Sequence, residues 1–198
     1  MRPTGGLSLR ALSLVVLLAA LLGAASVAAA QTPPRGPRAP LPAEQPVGMA
    51  RLTGLPGGPL SFPVYGVAVG VERPTDVVAG AGAATGRARF ADVALAKALD
   101  AATPQLWAAV AEGRRLSRVE LALCPPAASC DFTAGGTPSP DAYLVYTLED
   151  ALITGLDDGG APAGGALGEQ VTFAYERLTV RAAGSPPVCW DRTAGRTC

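Results

Sequence analysis

From Met49 to Arg192 the apolar residues mostly recur at every second position, the spacing of strands that bury one face. Met49 to Thr53 is a short run of this kind, stopped by the turn-forming cluster Gly54-Leu55-Pro56-Gly57-Gly58-Pro59. Phe62, Val64, Val67, Val69 and Val71 keep close to alternation up to Glu72, and the slip at Tyr65-Gly66 predicts a bulge. Thr75 to Thr85 is a small-residue stretch, read as a flexible or partner-ordered loop. Its glycines, with Gly86, miss the spacing of a dinucleotide-binding turn, and the helix such a turn requires is absent. Gly86 to Leu95 alternates again, with Ala88, Phe90, Val93 and Leu95 near one face.

The period then changes. Thr103 as a capping residue and Pro104 in the first turn open a helix in which Leu106, Trp107, Val110 and Ala111 recur at helical spacing, and Gly113 ends it. Leu116 to Leu123 turns Val119, Leu121 and Leu123 inward. Ala142 to Leu156 runs back with Leu144, Tyr146 and Leu148 on one face, so the two read as a hairpin with an ornamented loop. Glu169 to Arg181 is another strand, carrying Val171, Phe173, Tyr175, Leu178 and Val180, and Val188 to Arg192 is a last short one. The balance predicts a mainly β fold, an antiparallel β-barrel or two-sheet sandwich with one flanking short α-helix.

The first thirty residues follow a different rule. Arg2 and Arg10 precede the apolar run Ala11 to Leu22, and Ala28-Ala29-Ala30 ends it, the three parts of a secretory signal peptide with cleavage expected after Ala30. A retained membrane anchor is the competing reading, since Leu7 to Ala30 approaches the length of a spanning helix. Residues 31–46 are dense in proline and nearly free of large apolar side chains, which predicts an extended spacer. One domain, residues 47–198, remains, and its compartment is periplasmic or extracellular.

Charge and composition narrow the chemistry. Sixteen basic residues balance sixteen acidic ones, so nothing in the chain marks it for nucleic acid or for an anionic membrane surface after signal cleavage. Histidine is absent, which removes the commonest general base and the usual catalytic zinc ligand. Glu149 and Asp150 are neighbours in a strand and point to opposite faces unless a bulge intervenes, while Asp157 and Asp158 read as solvated residues of a glycine-rich turn. Lys97, the single lysine, has no serine-nucleophile motif around it. The expectation is no catalytic residue, no metal and no cofactor. Cys124, Cys130, Cys189 and Cys198 are even in number and lie beyond the signal, so disulfides explain them better than a four-thiolate metal site. Three pairings exist. Cys124 with Cys130 and Cys189 with Cys198 is favoured, because each pair brackets a short turn-rich segment.

Order and spacing then point to a family. The opening strand Met49 to Gly54 is followed by Tyr65-Gly66-Val67, a glycine-rich loop, and the block Gly86 to Lys97 with Asp100, Thr103-Pro104-Gln105-Leu106 and Gly113. Tyr143 to Leu148 precedes Gly168-Glu169-Gln170-Val171-Thr172-Phe173-Ala174-Tyr175, and Cys189-Trp190-Asp191 closes the series. This resembles the haemolysin-coregulated protein (Hcp) family, the tube proteins of type VI secretion, from about Val47 to Arg192. The resemblance implies a barrel of two antiparallel sheets with a flanking helix, hexameric rings that stack into a tube, and no catalytic residues. Residues 75–85 would then reach a neighbouring subunit or ring. The cleavable leader and the paired cysteines stand outside the family pattern. The expected role is an exported, non-enzymatic Hcp-like structural protein that forms rings or tubes with itself or meets an unidentified protein partner; the alternative is a monomeric extracellular binding module on the same fold.

Overall fold

Alternating residues become strands along about half of residues 48–197. The structure, a computed structural model, describes residues 45–78, 82–126, 128, 130–159 and 167–198. The leader and all but the last two residues of the proline-rich stretch lie outside them. The described strands are β1 (Gly48–Thr53), β2 (Leu60–Val64), β3 (Gly66–Ala68), β4 (Val71–Glu72), β5 (Thr75–Val78), β6 (Gly82–Thr85), β7 (Arg89–Phe90) and β8 (Val93–Ala98). After the helix α1 (Thr103–Ala111) come β9 (Arg115–Leu123), β10 (Leu144–Asp158), β11 (Gly168–Ala174), β12 (Arg177–Ala182), β13 (Val188–Asp191) and β14 (Arg196–Thr197). The fold is mainly antiparallel β with one helix, as the residue pattern predicts.

Ten of these strands form one sheet that rolls up. β1 lies between β2 and β9, β9 pairs with β10, and β10 leads through β11 and β8 to β3. A single residue, Tyr65, separates β2 from β3, and its N–H donates to the Ala96 carbonyl at 2.8 Å. Hydrogen bonding therefore continues around the roll at the position where the sequence pattern slips. Phe62, Phe173, Leu52, Leu95, Leu106, Leu116, Leu121 and Leu148 fill the interior.

The fifteen-residue β10 organises the roll. On one side it holds β9; on the other it pairs with β12 through its first half and with β11 through its second. The predicted single strand from Glu169 to Arg181 is thus two strands, broken at Tyr175-Glu176, both antiparallel to β10. The break sits opposite Asp150, which has φ 51°, the left-handed region that a side-chain-bearing residue rarely enters. An extended chain kinked there can direct its two halves into different layers. β12 continues outward through β13 to β14.

Three other local expectations change. Thr75 to Thr85 is not a loop: Thr75–Val78 and Gly82–Thr85 pair antiparallel as a hairpin that joins no other strand among the described residues. Asp157 and Asp158 end β10 rather than lying in a turn, because the strand continues to pair with β11 up to Asp158↔Glu169. Thr103 does not cap the helix from outside but lies in its first turn, and Trp107 is 48% exposed instead of joining the apolar stripe, which consists of Leu106 and Ala109 with Val110 partly buried.

Two backbone positions test this geometry. A Cβ on Gly48 would meet the Ala122 carbonyl oxygen at 2.2 Å, so β1 approaches β9 as closely as it does only because Gly48 has none. Gly48→Ala should lower stability by about 1–3 kcal/mol in urea unfolding. Asp150→Val should lose about 1–2 kcal/mol and Asp150→Gly should lose nothing; equal stability of the two variants would show that the kink does not depend on the left-handed conformation.

Candidate functional site

β8 obeys alternation and yet buries both faces. Val93 and Leu95 look into the main core, whereas Ala94 and Ala96 pack on the other side against Ala68, small enough to let that layer close. The next inward position is Lys97. On β11 the same parity runs Glu169, Val171, Phe173, and Glu169 is the register partner of Lys97. Two charged residues thus occupy inward positions directly opposite each other.

Neither side chain is accessible to solvent, and Lys97 Nζ lies 2.6 Å from Glu169 Oε2. The ammonium also donates to the Ala98 carbonyl at 2.7 Å, lies 3.0 Å from Asp100 Oδ1, and stands 5.3 Å above the Phe62 ring. Thr103 donates its hydroxyl to Glu169 Oε2 at 3.0 Å and accepts the Asp100 N–H at 3.2 Å. Asp100 Oδ1 accepts the Ala102 N–H at 2.8 Å. Ala102 cannot cap, so Asp100 and Thr103 satisfy each other's turn reciprocally in the manner of a capping box. At the far end Gly113, with φ 61°, donates to the Val110 carbonyl and ends the helix as the sequence predicts. One turn after Thr103, Trp107 donates its indole N–H to Asp158 Oδ2 at 3.2 Å. Asp158 and Glu169 are cross-strand partners, so two side chains at i and i+4 tie α1 to one rung of the β10–β11 ladder.

This node is chemically closed. Glu169 Oε2 carries all of the carboxylate's contacts, and Oε1 is buried without a partner among the described residues. Such a pair orients elements; it offers no path for a substrate. The other acids do not converge on it. Glu149 bridges Arg118 and Arg177 at 3.4 and 2.6 Å, and Arg177 reaches Asp191 at 3.8 Å; Glu149, Arg177 and Asp191 line an open pocket of ≈560 Å³ together with Arg196. No group of three potential metal ligands occurs among the described residues. Burial raises Glu120 above the usual carboxylate range despite Arg118, Arg51 and Arg181 nearby.

The cysteines sit at two edges of the fold. Cys124 is bonded to Cys130 with Cα atoms 5.7 Å apart, closing the start of the β9–β10 connection. Cys189 is bonded to Cys198 at 5.3 Å, closing the β13–β14 hairpin. Lys97, Asp100, Thr103 and Glu169 are all named by the sequence pattern, but their mutual contact is not; the signal for it is that the single lysine and Glu169 each continue the inward parity of an apolar strand.

Comparison with known proteins adds to this geometry. A family model described as "Type VI secretion system effector, Hcp" matches residues 60–181, a span that includes the whole polar node. No curated protein gives a match. Among solved structures, a type six secretion system protein is 22% identical with a TM-score of 0.56, over 69% of this chain and 85% of that one. A double mutant of Hcp1 from E. coli EAEC 042 pathovar is 19% identical with a TM-score of 0.56, over 73% and 98%. Hcp1 from Salmonella typhimurium is 16% identical with a TM-score of 0.54, over 76% and 98%. At these identities the likeness is one of fold.

Lys97→Met should destabilise the protein by about 3–5 kcal/mol, because it strands a buried carboxylate, whereas Lys97→Met combined with Glu169→Leu should recover most of that loss. Urea unfolding of the two single variants and the double measures it; a double variant no more stable than Lys97→Met would show that the pair contributes by more than charge compensation.

Proposed function

The chain belongs to the Hcp family of type VI secretion proteins, and on that premise we propose that it is an exported, non-enzymatic structural protein that assembles with copies of itself into a ring. The family match across residues 60–181 carries this reading. Two features of the fold are consistent with it. The β5–β6 hairpin pairs only with itself among the described residues, and an isolated two-stranded hairpin is marginal in water, so a neighbouring subunit would give it a surface to pack against. Val71 on β4, Val188 on β13, and Tyr143 and Leu167 just before β10 and β11 are also large apolar residues left exposed.

Export rests on the leader: a signal peptide removed after Ala30, a spacer to residue 46 and a domain over 47–198. The disulfides suit that compartment, because they close peripheral segments that an oxidising environment would keep tied. No helix among the described residues is long and apolar enough to cross a membrane. The same disulfides favour a second reading, a monomeric extracellular binding module, since staples that make each copy self-sufficient reduce its dependence on neighbours.

Native mass spectrometry of the exported protein should give a hexamer, with its N-terminus at Gln31. A monomer at the highest soluble concentration would overturn the ring and leave the monomeric module; retention of residues 1–30 would overturn the cleaved signal. Removing Cys124 and Cys130 together by serine substitution should cost about 2 kcal/mol in thermal unfolding, the chain-entropy value for so short a loop.

A further inference from the structure

One concave patch carries a local excess of positive charge that the core does not explain. β4 pairs with β7, placing Glu72 opposite Arg89 and Val71 opposite Phe90. Phe90 stacks on Trp190 of β13, with ring centroids 5.4 Å apart and planes at 28°. Around this aromatic pair an open pocket of ≈330 Å³ is lined by Arg73, Arg87, Arg89 and Arg192 together with the two rings. Arg192 is held in place, donating to the Tyr175 carbonyl at 3.1 Å, lying 4.6 Å over the Tyr175 ring and 3.6 Å from Asp92. Arg73, Arg87 and Arg89 are exposed, and among the described residues none of them has an ion pair or a side-chain hydrogen bond. Glu72 borders the adjoining depression, yet makes no ion pair with Arg89.

Formal charge over the whole chain is zero, so four guanidinium groups around one depression, of which Arg192 alone has an ion pair among the described residues, are a local excess. Like charges brought together repel, and a bound anion removes that cost. Guanidinium forks match carboxylate and phosphate oxygens in a bidentate manner. The stacked rings give the same depression an apolar floor against which a flat or ring-shaped group can rest. A volume near the lower end of small-molecule sites suits one ring with an acidic substituent. An extended acidic peptide would need a longer groove.

We propose that this pocket binds an acidic sugar unit, a pyranose ring carrying a carboxylate or a phosphate, with the ring on Phe90 and Trp190 and the oxyanion among Arg73, Arg87 and Arg89. Arg192, already engaged by Asp92 and Tyr175, fixes the side of the pocket. The site lies away from the Lys97–Glu169 node and requires no assembly of subunits.

Trp190 reports on the site directly. The chain has two tryptophans, and Trp107→Phe on α1 leaves Trp190 as the sole tryptophan, excited selectively over the tyrosines at long wavelength. Titration of that full exported variant with glucuronate and with glucose 6-phosphate should change Trp190 emission with a Kd of about 1 mM or tighter for at least one of them. The stronger ligand tells whether carboxylate or phosphate is the preferred oxyanion. Arg87→Gln with Arg89→Gln should weaken that binding about a hundredfold, since two charge-assisted contacts are lost together, with the thermal midpoint unchanged because both residues are exposed. Glucose should give no response. The proposal is overturned by no response to either acidic sugar, by an equal response in the arginine variants, by inorganic phosphate binding as tightly as the sugar phosphate, or by polyglutamate binding more tightly than both sugars. Emission that changes with protein concentration alone would assign the patch to contact between copies and overturn it as well.

Discussion

Lys97 and Glu169 meet at 2.6 Å out of reach of water, and their contact joins β8, β11 and α1 at one point. An uncompensated charge in that position would cost several kcal/mol, so each residue tolerates burial only because the other is there. The pair is therefore a constraint on assembly of the fold. Strand register must place 97 opposite 169, and α1 must start where Thr103 can reach the same oxygen. Hydrophobic burial supplies most of the driving force, but apolar side chains tolerate small shifts in register that a buried ion pair does not. The Ala98 carbonyl, Asp100 and the Phe62 ring surround the remaining sides of the ammonium and narrow the choice further.

From that anchor the roll follows through β10. The strand is too long to serve one layer, and its kink at Asp150 lets the first half carry β12, β13 and β14 while the second half carries β11 and β8. The break between β11 and β12 falls opposite the kink because both strands must turn at the same place to stay paired. Glu149, beside the kink, is held by arginines from the strands on either side of it, Arg118 and Arg177. These are half-exposed contacts and add little energy. Their consequence is positional, since they keep the two neighbouring strands level where the ladder is interrupted.

Function belongs to the outside of this roll. The charged node is sealed, Glu149, Arg177 and Asp191 are paired with one another, and the two disulfides close the start of the β9–β10 connection and the β13–β14 hairpin. What remains available to other molecules is the self-paired β5–β6 hairpin, the scattered apolar residues on the surface, and the arginine-rimmed depression over Phe90 and Trp190.

Periodicity in the sequence determined the class of fold, the position of α1 and its end at Gly113, and most strands of the roll though not the division of Glu169 to Arg181 into β11 and β12, because alternation and helical spacing are local properties of the chain. It also placed the break at Tyr65-Gly66. The order of motifs from Gly86 to Thr103 and from Gly168 to Tyr175 determined the family, since that order is read without knowing any contact. Tertiary structure alone decided that Lys97 and Glu169, 72 residues apart, are partners, that Thr75 to Thr85 pairs as a hairpin, and that Asp157 and Asp158 finish a strand. It alone gathered Arg73, Arg87, Arg89 and Arg192 around one aromatic stack. The reason is the same in each case: pairing across strands depends on register between segments distant along the chain, and the pattern within a single segment carries no information about which residue will stand opposite.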